Sequence, residues 1–456
     1  MAMNNISKKS IDFAKNHFFV ILFLLFSIMF LARYYQVGYG VGGDGEGYYM
    51  YLPSIVLDHD LNFTNQYFET PWMNSNNKYI SVSGNLTEVD KNKILQERIG
   101  THGAINIWPI GTAIFLMPFF LFAHLVVLIL NVFGLNIITN GYSSVHQIIT
   151  LLGSIFYGVL GLYLSYLIAR KYVKDEIVIK LSIFILAFGS FLIQYISIEP
   201  SMSHTVSFFI STLFVYIYLE KIHLKNDGLG WYLIFGLVGG LMICVRQQNF
   251  ILFLIPMILF AYEIFHKKIK MRKISYLSFS VVMFIIGLMP LLISQQMMYG
   301  NPIYSPQTPY IGLSNLNLIG EMFSFKHSLF VSTPLLLISA VGLLLLFHNR
   351  NQHWIGITLV MTLFAAIFLN SLITSTGYAF GARRYDDVFF IFVVGFSLLV
   401  DKIKNMKIWN ILFFIAISSL LILNMMYFVD YNLNIISRGG AVTYFDIIKS
   451  FIGLLL

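Results

Sequence analysis

A single cysteine, Cys244, stands among 456 residues, so no intrachain disulfide and no cysteine-rich metal site can form. Charge is scarce too: only 11% of the residues are Asp, Glu, Lys or Arg, against roughly a quarter in soluble domains. With 57% hydrophobic residues and a mean hydropathy of +0.76, that scarcity excludes an ordinary soluble fold and leaves lipid as the solvent. There is no P-loop, no dinucleotide fingerprint and no His-Glu-x-x-His, so neither nucleotide hydrolysis nor zinc-hydrolase chemistry is indicated. The net charge of +8 does not imply nucleic acid, because the lysines and arginines form short clusters rather than one basic face. No repeat, low-complexity tract or linker divides the chain, which reads as one membrane domain over 1–456.

What is present is a series of apolar runs of about 18 to 25 residues, each long enough to cross a hydrocarbon core of about 30 Å as a helix. Phe18 to Tyr35 lacks a small-residue cleavage site and is expected to be a retained first span. Further spans are expected near His146–Ala169, Ile177–Ile198, Met202–Leu219, Trp231–Val245, Phe250–Phe265, Ile274–Ser294, Leu329–Phe347, Ile355–Ile373, Val388–Val400 and Ile408–Val429. The fold class is therefore all-α, a polytopic transmembrane bundle of about 11 to 13 spans. The basic clusters Lys8/Lys9, Arg170/Lys171/Lys174, Lys221/Lys225, Lys267 to Lys273 and Lys402/Lys404/Lys407 place those loops and the N-terminus in the cytoplasm of a plasma membrane protein. The polar stretch 36–104 is then a large outer loop bearing short interfacial helices. Ile107 to Phe133 resembles one crossing in length, yet the alternation of basic clusters demands that it begin and end outside. Pro109 and Pro118 point to a hairpin or re-entrant element. The apolar tail Phe451 to Leu456 is too short to span and is placed at the outer interface.

With that topology the unusual polar residues gather on the outer side: Asp44/Glu46, Asp58/Asp60, Arg98/His102, Glu199/His204, Arg246/Gln247/Gln248, Gln295/Gln296 and Arg383/Arg384. A solvated loop accounts for any one of them; together they point to a polar cavity at the outer face. Gly42 to Tyr49 follows the first span directly, with glycines that permit a tight turn around Asp44 and Glu46. Of the two acids Asp44 is the expected proton acceptor. Tyr48, Tyr51, Leu52, Ile55 and Val56 recur at helical spacing, as in an amphipathic helix lying at the interface. Arg246, Arg383, Arg384 and His204 are candidate phosphate-binding groups, the arginines for their planar donor forks. Candidate substrate contacts are Tyr48, His102, Glu199, Gln248 and Tyr385. The plainer account of Arg383 and Arg384 is pairing with Asp386 or Asp387. No cofactor is called for, and only scattered outer acids speak for a divalent cation.

An acidic Asp-x-Glu element directly after the first span, a large first outer loop, many spans and outer arginines together resemble the GT-C superfamily of polyprenyl-phosphate-dependent glycosyltransferases. The similarity is to bacterial relatives of protein O-mannosyltransferases and lipid A aminoarabinose transferases, carried by Gly43 to Tyr49, Glu199 to His204, Arg246 to Asn249 and Phe380 to Tyr385. The resemblance implies an inverting transfer from a lipid-phosphate sugar donor to an envelope glycan, lipid or protein hydroxyl. Asp44 would be the general base and Glu46 the second acid of the pattern. In place of the family's Lys-Pro-Pro-type element this chain has Thr101-His102-Gly103-Ala104 and Ile107-Trp108-Pro109, which leaves the acceptor side open. A transporter or flippase of lipid-linked saccharides is the alternative class.

Overall fold

Among the described residues of the computed structural model, eight helices are long and apolar enough to cross a membrane, and the chain is an all-α, multi-pass membrane bundle. The structure describes residues 16–69, 79–81, 84–86, 99–100, 103–224, 228–266, 271–306, 311–348, 352–373, 379–436 and 440–455. The helices are α1 (Phe18–Val37), α2 (Asp44–Pro53), α3 (Thr64–Glu69), α4 (Gly111–Val132), α5 (Ser144–Ala169), α6 (Glu176–Phe188), α7 (His204–Ile217) and α8 (Leu229–Val245). They continue with α9 (Leu254–Phe265), α10 (Met271–Tyr299), α11 (Leu318–Phe323), α12 (Pro334–Gly342), α13 (His353–Ser371), α14 (Phe389–Ile403), α15 (Lys407–Asn432) and α16 (Tyr444–Leu455). Two small antiparallel hairpins, Tyr79–Ser81 with Gly84–Leu86 and Ile99–Gly100 with Gly103–Ala104, lie in the polar stretch after α3.

The bundle has a basic end and a polar-cavity end. At the basic end Lys171 pairs with Glu220 at 2.6 Å, Lys404 with Asp175 at 2.7 Å, and Glu263 takes both Lys273 at 2.6 Å and His223 at 2.9 Å. These contacts tie α5, α6, α9, α10 and α14 together on one side, as the positive clusters of the sequence require. Lys8/Lys9, Lys225 and Lys267/Lys268 lie outside the described residues.

Two expected spans take a different form. Ile177–Ile198 is broken after Phe188, where Gly189 packs so closely against Leu335 that its Cβ would meet that side chain at 2.4 Å. A π-helical turn, Gln194–Ile198, then carries the chain to the cavity. The stretch 107–133 contains one continuous helix, α4, running through Pro118. His124 lies 3.1 Å from His146 at the start of α5, Phe119 lies against Gly153, and Phe115 packs edge-on against Tyr157, so α4 runs antiparallel to α5. Gly111 is thus level with the middle of α5, where it abuts the backbone of Cys244 and Val245. From there α4 runs to the cavity-side end of α5 and about two turns beyond. With 22 residues, α4 is itself one of the helices long and apolar enough to cross a membrane, and it pairs with α5 as an antiparallel hairpin.

Helix α2 is not the interfacial helix its spacing suggests: every residue from Gly45 to Pro53 is buried. Gly45 and Gly47 make this possible, because a Cβ would lie 2.1 Å from the Ser201 hydroxyl at one and 2.1 Å from the Trp108 ring at the other. Asn106 completes the clamp, its amide donating to the Gly47 carbonyl at 2.6 Å. The C-terminal helix α16 packs on α15 through a Ser450–Asp430 hydrogen bond and on the segment after α11 through Tyr444 and Val331.

Candidate functional site

A cavity of about 1160 Å³ opens where the first turn of α2, the Glu199–His204 segment, the Arg246 turn and the Arg383–Arg384 turn meet. Each wall comes from an element boundary, where backbone polar groups and charged side chains are easiest to satisfy. Asp44 is the first residue of α2, with Gly43 preceding it at φ +59°, a conformation that favours glycine. The helix N-terminus also favours an acid there. Val245 ends α8 and Arg246 turns into extended backbone, which aims its side chain at the neighbouring helices. Arg383 and Arg384 lie in a single 3₁₀ turn just before α14.

Two ion pairs organise the polar wall. Arg383 donates to Asp44 at 3.2 Å, with the Asp44 side chain 45% exposed to the cavity. Deeper, Arg246 bonds Asp386, which is fully buried, and also reaches Nδ1 of His204 at 2.9 Å and Gln248 at 3.1 Å. Nδ1 of His204 lies 3.2 Å from the same Asp386 oxygen. A guanidinium only donates, so the Arg246 contact needs an unprotonated Nδ1, whereas the Asp386 contact needs a proton there. One ring nitrogen cannot serve both at once. Gln248 completes the frame by donating to the Arg384 carbonyl at 2.9 Å.

Most of the residues proposed from the sequence converge: Asp44, Tyr48, Glu199, His204, Arg246, Gln248, Arg383 and Arg384 all line the cavity. Two do not. Glu46 is buried within α2 on the side of Tyr142 and is absent from the cavity wall, because helical rotation turns it away from Asp44. Tyr385 is buried beneath the arginines and lines a second, separate cavity instead. His102 lies outside the described residues. Asp386 is the residue whose role the sequence hid: its neighbours in the chain, Arg383 and Arg384, are not its partners, and Arg246 is 140 positions away. Among the described residues no group of three His, Cys, Asp or Glu side chains converges as a metal site would need.

No protein-family model and no curated protein sequence matches this chain. The chemistry of the cavity must therefore carry the functional reading.

Four arginines, Arg33, Arg246, Arg383 and Arg384, and two carboxylates, Asp44 and Glu199, line the cavity. Burial, together with the positive charge of Arg383 and Arg246, pulls Arg384 below the usual arginine range, with Glu321 opposing. An anion would relieve that crowding. The opposite wall is apolar, formed by Phe250, Leu291, Met298, Leu369 and Ile373 from the α9, α10 and α13 regions.

Beneath the wall two adjacent acids behave oppositely. Burial pushes Asp386 up, but Arg246 and His204 outweigh it and hold the carboxyl below its ordinary value. Asp387 is raised well above the ordinary carboxylate value, first by burial and then by the charge of Asp386, and its Oδ1 has no hydrogen-bond partner among the described residues. A raised acid stabilises the fold fully below its unfolded value and loses that contribution as pH rises towards its folded value. Asp387→Asn mimics the protonated acid. It should raise thermal stability relative to wild type, and by more at pH 8 than at pH 5, since the unfolded carboxyl, with its value of about 3.9, is already ionised at pH 5; melting in detergent at both values reads the difference.

Proposed function

We propose that this protein transfers a sugar from a polyprenyl-phosphate donor to a hydroxyl of a cell-envelope acceptor, on the extracytoplasmic side of the plasma membrane. The observation that carries this reading is the two-faced cavity, with an arginine-rich wall bearing Asp44 set against an apolar wall among membrane helices. Such a site suits a substrate with an anionic head and a lipid tail, since arginine forks match phosphate oxygens and apolar side chains take the chain.

In this scheme the donor phosphate competes with Asp44 for Arg383, releasing the carboxylate from its ion pair. Asp44 then takes the proton of the acceptor hydroxyl as that oxygen bonds to the anomeric carbon. The bond from the anomeric carbon to the phosphate oxygen breaks, its electron pair stays on the lipid phosphate, and the configuration inverts. Arg246, Arg383 and Arg384 offset the growing negative charge in a partly dehydrated site, where fixed donors act most strongly. His204, with Nδ1 accepting from Arg246, keeps Nε2–H as its donor. Tyr48, Glu199 and Gln248 shape the head-group site. No nucleotide or redox cofactor enters the scheme.

The test is turnover of labelled polyprenyl-phosphate sugars by the purified protein in lipid nanodiscs, with extracted envelope fractions as acceptors. Release of polyprenyl phosphate with a new glycosidic product is the expected result. Binding or transbilayer movement of the donor with no glycosidic product would replace this reading with a carrier for lipid-linked saccharides.

A further inference from the structure

Behind the arginine turn lies a second cavity, of about 410 Å³, that shares Ile373, Arg383 and Arg384 with the first. Its other walls carry Glu321, Lys326, His327, Asn315, Asn317, Ser324 and Ser371. Glu321 belongs to the short helix α11, whose first turn is held by the Asn317 side chain accepting from Gly320 N at 2.8 Å. Its backbone carbonyl accepts from Leu329 N at 2.9 Å, so the helix is pinned at both ends. The Tyr385 hydroxyl donates to Oε1 of Glu321 at 3.0 Å and fixes the carboxylate beside the arginines. The two arginines thus serve two acids: Arg383 bonds Asp44 in the large cavity, while Arg384 attracts Glu321 in the small one.

The composition of the second cavity differs from that of the first. A carboxylate accepts two or more hydrogen bonds, amide side chains both donate and accept, and serine hydroxyls do the same. That set matches the hydroxyls of a sugar. An acyl chain is not suited, because polar walls would cost unmade hydrogen bonds; phosphate is the competing occupant, since Arg383, Arg384 and Lys326 also line the cavity, and Glu321 is what favours a neutral ligand over it. We propose that this second cavity binds a neutral saccharide, the sugar end of the acceptor, with Glu321 as the recognising carboxylate and Tyr385 as its positioning residue. This rests on the transfer reading above for the word acceptor; saccharide binding itself does not. A sugar seated there would present a hydroxyl past the arginine turn towards Asp44, so that donor and acceptor enter from opposite sides of one wall.

The test uses the full chain with Cys244→Ala and Ser324→Cys, which places the only thiol in the second cavity. Its labelling rate with a methanethiosulfonate reagent is measured in nanodiscs with and without a panel of neutral disaccharides, and with inorganic phosphate. At least one disaccharide should slow labelling several-fold and phosphate should not. Adding Glu321→Gln should weaken that protection by about tenfold or more, the loss expected for one hydrogen bond to a charged group. Tyr385→Phe should weaken it less. An unchanged labelling rate without sugar shows that each variant is folded around the cavity. Protection by no disaccharide, protection by phosphate, or protection indifferent to both substitutions would overturn the proposal. Cleavage of polyprenyl-phosphate sugars by the wild-type protein is measured in parallel. If the donor is cleaved but no saccharide protects, the acceptor site fails alone; if saccharides protect but no donor is cleaved, the transfer reading fails and the saccharide site stands.

Discussion

Asp44→Asn is expected to lower the rate of sugar transfer by about 10² to 10⁴, the usual contribution of a positioned general base. The substitution is nearly isosteric and removes only the ability to accept the proton. Folding should hardly change, because the Asp44–Arg383 pair is 3.2 Å long and 45% exposed on the acid side, and exposed pairs contribute about 0 to 1 kcal/mol. Donor affinity should hold or improve, since the phosphate no longer competes with a carboxylate for Arg383. The comparison to make is Asp44→Asn against Glu199→Gln, the other carboxylate on the wall. Full loss in the first with residual transfer in the second supports Asp44 as the base. The reverse pattern would move that role to Glu199.

Asp386→Ala should destabilise the protein by about 3 to 5 kcal/mol, the cost of leaving one member of a buried ion pair uncompensated. Asp386 is fully buried behind the cavity wall, where Arg246 and His204, which line the cavity, both reach it. Because its folded value is depressed, the contribution of Asp386 is present above the unfolded carboxylate value of about 3.9 and is lost as pH falls through the lower folded value. The deficit of Asp386→Ala should therefore be full at neutral pH and shrink only in strong acid. Replacing both partners, with Arg246→Met and Asp386→Leu, should recover much of the stability, since apolar substitutes for a buried pair are often neutral or better. It should not recover donor turnover. Thermal unfolding and turnover measured on the same preparations separate these outcomes, and recovery of both would mean that Arg246 holds the fold and not the phosphate.

The convergence of Asp44, Glu199, His204, Arg246, Arg383 and Arg384 was legible because membrane proteins expose charge sparingly. Each of these residues sits at the end of an apolar run, and the basic clusters mark the other end of the same runs. What α2 does was not legible. The spacing of Tyr48, Tyr51, Leu52, Ile55 and Val56 is the same for a helix floating at an interface and for one buried on all sides. Gly45 and Gly47 carry the difference, by admitting Ser201 and Trp108, and nothing in the sequence names those partners. The same holds for Glu46, whose direction is set by the rotation of α2 against its neighbours.

Sequence alone determined the solvent, the helical class, the two-ended distribution of charge and the cluster of polar residues that meets at one cavity, because hydrophobicity and charge placement are local properties that lipid enforces residue by residue. Only the tertiary structure decided the pairings: α4 antiparallel against α5, Asp386 rather than a nearby acid as the partner of Arg246, and Tyr385 in a second cavity behind the arginines. Those are pairings across tens to hundreds of positions, fixed by which helices pack together, and no local pattern encodes them.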